Sequence, residues 1–497
     1  MEKNISRRRF LGNSAAAAAS FTILPSYVVS GMGHTAPSDK LNIAGIGIGG
    51  MGKRDIDGMS SQNIVALCDV DWKYAGKTFE AYPNAKKFKD YRQMFDTMSK
   101  DIDAVVVATP DHTHAVASYA AMTLGKHVYC EKPLTHSVYE SRILTLAAAK
   151  YGVATQMGNQ GSSGNGIRQI CEWIWAGEIG EIKEVHCWTN RPIWPQGLQR
   201  PTEVMQVPDT LDWNLFLGPA KDRPYHSAYT PWNWRAWFDF GTGALGDMAC
   251  HIVDPIFRAL HLQYPTQVEG TSSQVNTESA PLAELVTYTF PARTNLPSNV
   301  KINMPEVKVT WYDGGLKPPR PAELPAGVEM GKDNNGGVLF VGTKGKLMCG
   351  CYAKNPFILG RENNPPAITE TLTRIPNEDH RMDFVRACKE EKKNRVEASS
   401  NFAYAGPFNE MVVMGTLAVR LQSLNRTLLW DGPNMQFTNI NDSDEIKVVS
   451  SDKFSVIDGH PKFDTQYETI NAKQAASEYI KHTYREGYNF PKNVNEV

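Results

Sequence analysis

A chain of 497 residues is too long for one ordinary domain and points to two or three. Hydrophobic residues at 41% and charged residues at 21% exclude a disordered, collagen-like or coiled-coil protein, and 52 basic against 53 acidic residues leave no net field to hold nucleic acid or an anionic membrane. The eight cysteines show neither Cys-x-x-Cys nor zinc-finger spacing, which disfavours a disulfide scaffold or structural zinc.

At the amino terminus, Ser6-Arg7-Arg8-Arg9-Phe10-Leu11 precede an uncharged, alanine-rich run from Ala15 to Val29. At about fifteen residues that run is short of the roughly 20 a spanning helix needs, so the pattern reads as an export signal. The paired arginines followed by Phe-Leu resemble a twin-arginine signal, which implies the twin-arginine export machinery as a partner and a periplasmic location. No clean Ala-x-Ala cleavage site stands near Ser30, and an uncleaved signal would leave the protein tethered to the membrane. Residues 1–38 are therefore set apart as signal and linker.

After that linker the apolar run Leu41–Ile46 reads as a buried strand leading directly into Gly47-Ile48-Gly49-Gly50-Met51-Gly52. In a G-x-G-x-x-G turn the first glycine allows the tight turn, the second lets the backbone approach a pyrophosphate, and the third lets helix and strand pack closely. A second strand, Ile64–Cys68, ends at Asp69, where an acid that binds the adenosine ribose is expected. A carboxylate there repels a 2′-phosphate and selects NAD over NADP. Asp71 is the neighbouring candidate, and either acid also suits a helix N-cap. Strands at 104–108 and 127–130 alternate with helices predicted over 115–124 and 137–150, as in a doubly wound parallel sheet. Ligands bind such sheets at the carboxyl ends of the strands, where Thr109, Pro110, His112, His114, Glu131 and Lys132 fall. The His112-x-His114 pair lacks a third ligand, so no metal is expected; one histidine is assigned to packing and the other to the cofactor's edge.

Three separated motifs, the glycine turn 47–52, Glu131-Lys132-Pro133 and Gly241–His251, resemble the Gfo/Idh/MocA oxidoreductases. The resemblance covers residues from about 41 to the 420s and implies a Rossmann domain over 39–160. An α+β domain with a large, mainly antiparallel open sheet over 161–497 would follow, carrying substrate and oligomer contacts and a C-terminal extension. It also implies that Lys132, Asp247 and His251 surround a nicotinamide and a reacting carbinol, and that the chain forms a homo-oligomer, a dimer or tetramer. The expected cofactor set is Gly47, Gly49, Gly50, Met51, Gly52, Asp69, Thr109, Pro110, His112, His114, Glu131, Lys132 and Gln160, around a tightly bound NAD. Hydride removal from a secondary alcohol needs a base for the hydroxyl proton and a positive group near the oxygen. Asp247 and His251, four apart on a helix, share a face; histidine is the base, the carboxylate orients its ring, and Lys132 assists.

Eight of the eleven tryptophans lie between Trp173 and Trp237, and Tyr225–Phe240 is crowded with aromatic residues around Arg235. Rings flanked by Arg, Asn and Gln suit a carbohydrate, although most such rings build core; Arg191, Trp194, Trp232 and Arg235, with Asp247 and His251, are the expected substrate contacts. Strand-like runs follow at 181–189, 266–275, 283–291, 300–311 and 337–348, then a helix over 407–422. The Gly- and Pro-rich stretch 314–335 reads either as a cover over the site or as a plain surface loop.

The leading expectation is an exported NAD-dependent oxidoreductase acting on a secondary hydroxyl of a sugar, sugar derivative or glycoside. The alternative is a glycoside hydrolase or lyase that uses bound NAD transiently, by oxidation, elimination and re-reduction. Glu131-Lys132-Pro133 resembles the dehydrogenase branch of the family more than the hydrolase branch. A sugar-binding protein without turnover is disfavoured by the intact Lys132, Asp247 and His251.

Overall fold

The structure is a computed structural model, in which residues 39–331, 335–367 and 369–497 are described. The expected export signal lies outside the described residues.

The first domain alternates strand and helix: β1 (Asn42–Ile46), α1 (Gly50–Gly58), β2 (Asn63–Cys68), α2 (Gly76–Ala81), β3 (Lys86–Phe88), α3 (Tyr91–Met98), β4 (Ala104–Val107), α4 (Asp111–Thr123), β5 (His127–Cys130), α5 (Val138–Tyr151) and β6 (Thr155–Met157). Strands β1, β4 and β5 are apolar and almost wholly buried, as strands covered on both faces must be. All six pair in parallel in the order β3-β2-β1-β4-β5-β6, the doubly wound dinucleotide-binding arrangement. Helix α4 begins four residues before the predicted position. Pro110 takes the N-cap position and Asp111 lies in the electropositive first turn, so the polar Asp-His-Thr-His run is helical although it lacks apolar periodicity. Helix α5 starts with a reciprocal capping box between Ser137 and Glu140 and ends on Gly152 at φ 65°.

The second domain contains α6 (Asn165–Ala176), β7 (Ile182–Thr189), α7 (Trp213–Leu217), α8 (Gly243–Ile252), α9 (Asp254–Ala259), β8 (Gln267–Ser272), β9 (Glu284–Phe290), β10 (Val307–Tyr312), β11 (Gly336–Gly342), β12 (Lys346–Gly350) and β13 (Phe357–Ile358). Then come α10 (His380–Lys389), α11 (Phe402–Arg420), β14 (Leu428–Asp431), β15 (Gln436–Phe437), the long hairpin β16 (Glu445–Ile457) and β17 (His460–Asn471), and α12 (Ala472–Ile480). Nine strands form one sheet, β13-β12-β11-β7-β10-β9-β8-β14-β15. Its pairings are antiparallel except β7 with β10, so the sheet is mainly antiparallel, as the sequence suggested, with one parallel pair at its centre. The run 337–348 is two strands of a hairpin, and only the second half of 300–311 is strand. From the 314–335 stretch, Leu324 and Met330 pack on the sheet against Trp188, Leu339 and Met348, and Asn335 accepts a bond from Arg191.

A boundary at residue 160 separates the two sheets, but the chain later returns to the first domain. Phe384 and Val385 of α10 share a core with Ile43 and Tyr129, and the Ser400 and Phe402 N–H groups donate to the Gln156 and Thr155 side chains of β6. Arg142 of α5 grips the Glu410 carboxylate of α11 with two nitrogens, at 2.7 and 2.8 Å. The Glu410 side chain is 1% exposed, so loss of its partner leaves a buried, uncompensated charge. Arg142→Ala is expected to lower the unfolding free energy by about 3 kcal/mol, with part of the loss restored by adding Glu410→Gln. Chemical denaturation of the wild type and both variants measures this.

Candidate active site

The glycine turn joins β1 to α1 at the carboxyl edge of the first sheet. Gly47 has φ +76°, and a Cβ there would stand 2.7 Å from the Thr109 nitrogen; a Cβ on Gly52 would stand 1.9 Å from the Gly47 oxygen. Side chains at these positions would push α1 off the sheet. Asp69, just past β2, accepts the N–H groups of Ile48 (2.8 Å) and Gly49 (3.2 Å) on Oδ2 and that of Asp71 (2.9 Å) on Oδ1. Burial pushes its carboxyl up to about 6, although these three bonds oppose the shift. Three acceptor sites of about four are thus filled, and one remains for a ligand hydroxyl. Asp71 accepts the Lys73 and Tyr74 N–H groups and so caps the following turn. The Tyr74 ring lies over the glycines, 2.2 Å from where a Gly49 Cβ would be.

From this turn a cavity of about 510 Å³ runs between the two domains. At its far end Lys132, just past β5, donates to Oδ1 of Asp247 (2.8 Å) and to the Asp247 carbonyl (3.1 Å). Arg235 Nε donates to the same Oδ1 at 3.0 Å. Burial alone would raise the Asp247 carboxyl, but the two cations outweigh it and hold it well below the usual carboxylate range. His251, one turn further along α8, faces the same cavity. Burial pushes its ring down to about 3, and the Lys132 charge acts in the same direction. Its Nδ1 is buried without a partner, and its ring centre is 4.5 Å from that of Tyr352. The expected bond from the Asp247 carboxylate to the His251 ring does not form: Lys132 and Arg235 take the carboxylate, and only the field of Asp247 reaches the histidine.

Of the expected substrate residues, Arg191, Trp194, Trp232 and Arg235 all line the cavity. The Arg235 guanidinium carbon is 3.9 Å from the centre of the Trp232 ring and 4.2 Å from that of Trp234. Trp194 is buried and donates to Gln196, whereas Trp232 is 48% exposed and free to meet a ligand. The other rings are core: Tyr225, Tyr229, Trp234, Trp237 and Phe240 pack together. Of the expected cofactor residues, Gly47, Gly49, Gly50, Met51, Asp69, Thr109, Pro110, Glu131, Lys132 and Gln160 line the cavity. Gln160 donates to Glu131 at 3.2 Å, and burial beside Asp55 drives the Glu131 carboxyl well up.

Gly52, His112 and His114 are the exceptions and do not line it. His112 Nε2 lies 2.9 Å from the Phe216 carbonyl, and the two His114 nitrogens each lie 2.8 Å from the carbonyls of Pro133 and Thr109. Because α4 starts at Asp111, both lie in its first turn, where they buttress the neighbouring loops. Tyr74, Tyr352 and Tyr488 line the cavity and were not picked out from sequence. Tyr352 sits at φ 62° in an irregular turn between β12 and β13, a placement without periodic signal.

Residues 41–159 match the Gfo/Idh/MocA oxidoreductase family's NAD-binding Rossmann fold, and residues 181–296 match that family's C-terminal alpha/beta domain. Over these two stretches, together just under half of its length, the chain is similar to the Gfo/Idh/MocA oxidoreductase family. It is 30% identical to inositol 2-dehydrogenase of Salmonella paratyphi B over 151 residues, 30% of this chain and 44% of that enzyme. It is 28% identical to levoglucosan dehydrogenase of Pseudarthrobacter phenanthrenivorans over 166 residues, 33% of this chain and 34% of that one. The chain thus spans less than half the length of these relatives. Its fold is similar to that of the WlbA dehydrogenase of Bordetella pertussis, solved with NADH and UDP-GlcNAcA, at a TM-score of 0.52 and 16% identity over 79% of this chain and 99% of that one.

His112, His251 and His380 are buried with rings pushed down to about 4, 3 and 4. Each is neutral in the fold and takes up a proton on unfolding below its ordinary value of about 6.5. The unfolded chain binds more protons there, so stability is full above pH 6.5 and declines as pH falls towards 4, by up to about 3 kcal/mol for each histidine. Denaturation midpoints between pH 7.5 and 4 are expected to trace this decline, and a flat profile would contradict it.

Proposed function

We propose that the protein is an NAD-dependent oxidoreductase acting on a secondary hydroxyl of a sugar, sugar derivative or glycoside. The observation that carries the reading is the convergence of Lys132, Asp247 and His251 in one cavity that begins at a glycine turn. The fit to a dinucleotide rests on Gly47 and Gly52, where a Cβ would fill the turn, and on the remaining acceptor site of Asp69. Bound there, NAD supplies the acceptor for the hydride; the charged Asp69 favours it over NADP.

The chain's own residues handle the proton and the charge. A neutral His251, its Nδ1 buried, presents Nε2 as the base for the hydroxyl proton. Lys132 donates to Asp247 through one or two of its three N–H bonds, and what remains can stabilise negative charge on the substrate oxygen. Asp247 fixes both Lys132 and Arg235 and so sets where positive charge stands. Trp232 offers a ring to a sugar's C–H face, and Arg191 offers donors to its hydroxyls. Inositol 2-dehydrogenase and levoglucosan dehydrogenase among the relatives support a polyol or sugar substrate. Export to the periplasm belongs to the same reading and is supported by the pattern from Ser6 to Val29; a homo-oligomer, dimer or tetramer, completes it.

Absorbance at 340 nm with a panel of polyols and sugars tests the reaction, and His251→Ala is expected to lower kcat/KM by about 10² to 10⁴. Protein that binds no nicotinamide nucleotide and reduces none with any panel member refutes the proposal. Sugar released from an aryl glycoside without net NADH, and lost in His251→Ala, would instead establish the redox-neutral glycosidase cycle.

A further inference from the structure

Residues 481–493 follow α12, far beyond the stretches that match the family, and bring Tyr488 to the cavity. They are fastened on both sides. On the first domain, Tyr484 donates to Glu140 of α5 at 2.5 Å, Tyr139 donates to the Pro491 carbonyl at 3.0 Å, and Arg92 reaches the Gly487 carbonyl at 3.3 Å. Phe490 packs edge-on against Tyr119 of α4, ring centres 5.4 Å apart. On the second domain, Arg485 donates to Asn214 Oδ1 (2.8 Å), the Gly218 carbonyl (3.1 Å) and Asp222 Oδ1 (2.7 Å). Between these anchors Tyr488 lines the cavity, with the Arg92 guanidinium 4.9 Å from its ring centre.

The sheet order says which end this is. The glycine turn marks a pyrophosphate and Asp69 past β2 a ribose, while Lys132 past β5 and His251 mark the reacting end. Strands β3 and β5 lie on opposite sides of β1. The wall beyond Asp69 on the β3 side is therefore the adenine end, where Tyr488 joins Val70, Lys89 and Tyr91. A planar purine fits a slot with two aromatic side chains and one aliphatic one.

We propose that residues 481–493 are a strap that completes the adenosine half of the dinucleotide site, with Tyr488 as its contact, and that the strap slows cofactor release. This rests on the reading of the cavity as an NAD site. The physical reason is enclosure: a ligand seated beneath a segment anchored on both domains leaves only after those anchors open. For an exported enzyme, away from any pool of free NAD, such retention would keep the cofactor with the protein.

The test uses the full chain and measures binding and release of NAD, and of ADP-ribose, which carries adenosine and no nicotinamide. Tyr488→Ala is expected to raise Kd about tenfold for both ligands, the scale of one aromatic contact, while Tyr488→Phe keeps wild-type affinity. Arg485→Ala, which unfastens the strap without touching the cavity, is expected to speed NAD release. Thermal melting verifies that each variant is folded. Wild-type affinity and release rate in folded Tyr488→Ala and Arg485→Ala overturn the strap alone. Wild-type protein that binds neither NAD nor ADP-ribose overturns both the strap and the NAD reading.

Discussion

The site is organised by one carboxylate. Asp247 is buried, and burial by itself would favour its neutral form; it stays charged because Lys132 and Arg235 donate to the same oxygen. Lys132 belongs to the end of β5 in the first domain, and Asp247 and Arg235 to the second, so the ion cluster is also a clasp across the cleft. A clasp of this kind is costly to form and costlier to break, since removing one member leaves the others charged without a counter-ion. It fixes the ammonium near the His251 ring, and that positive charge helps keep the ring neutral. A neutral imidazole and a positive centre thus stand together because a third group satisfies the charge of the second.

The rest of the molecule supports that arrangement. The parallel sheet presents the ends of β1, β2, β4 and β5 along one edge, which strings the glycine turn, Asp69, Thr109 and Lys132 along a single cleft. The large mixed sheet of the second domain forms a core with α8, α9 and α11, holding the Asp247 helix against the first domain. Helices α10 and α11 then return to the first domain, so the two units are joined by more than the clasp.

Much of the first domain was legible in the sequence, because buried parallel strands are short apolar runs and the glycine turn has a mechanical spacing. The four-residue interval from Asp247 to His251 was legible for the same kind of reason: helical spacing places both on one face. The start of α4 was not, because its first turn is polar and helical only through Pro110 and the packing around His112 and His114. That local difference moved two histidines out of the cleft. Strands β13, β14 and β15 were also missed, since two to four residues carry too little alternation to register.

What the sequence by itself determined is the set of chemical groups and their local spacing: a glycine turn after the first strand, an acid after the second, and a lysine, an aspartate and a histidine in motifs of their own. Which groups meet was decided by the tertiary structure. Asp247 pairs with Lys132 from 115 positions away and not with the histidine four residues on, and Tyr352 and Tyr488 reach the cavity from an irregular turn and the C-terminal segment. Helical spacing sets which residues share a face, whereas partners across a cleft are chosen by the desolvation of buried charge, which depends on the whole fold.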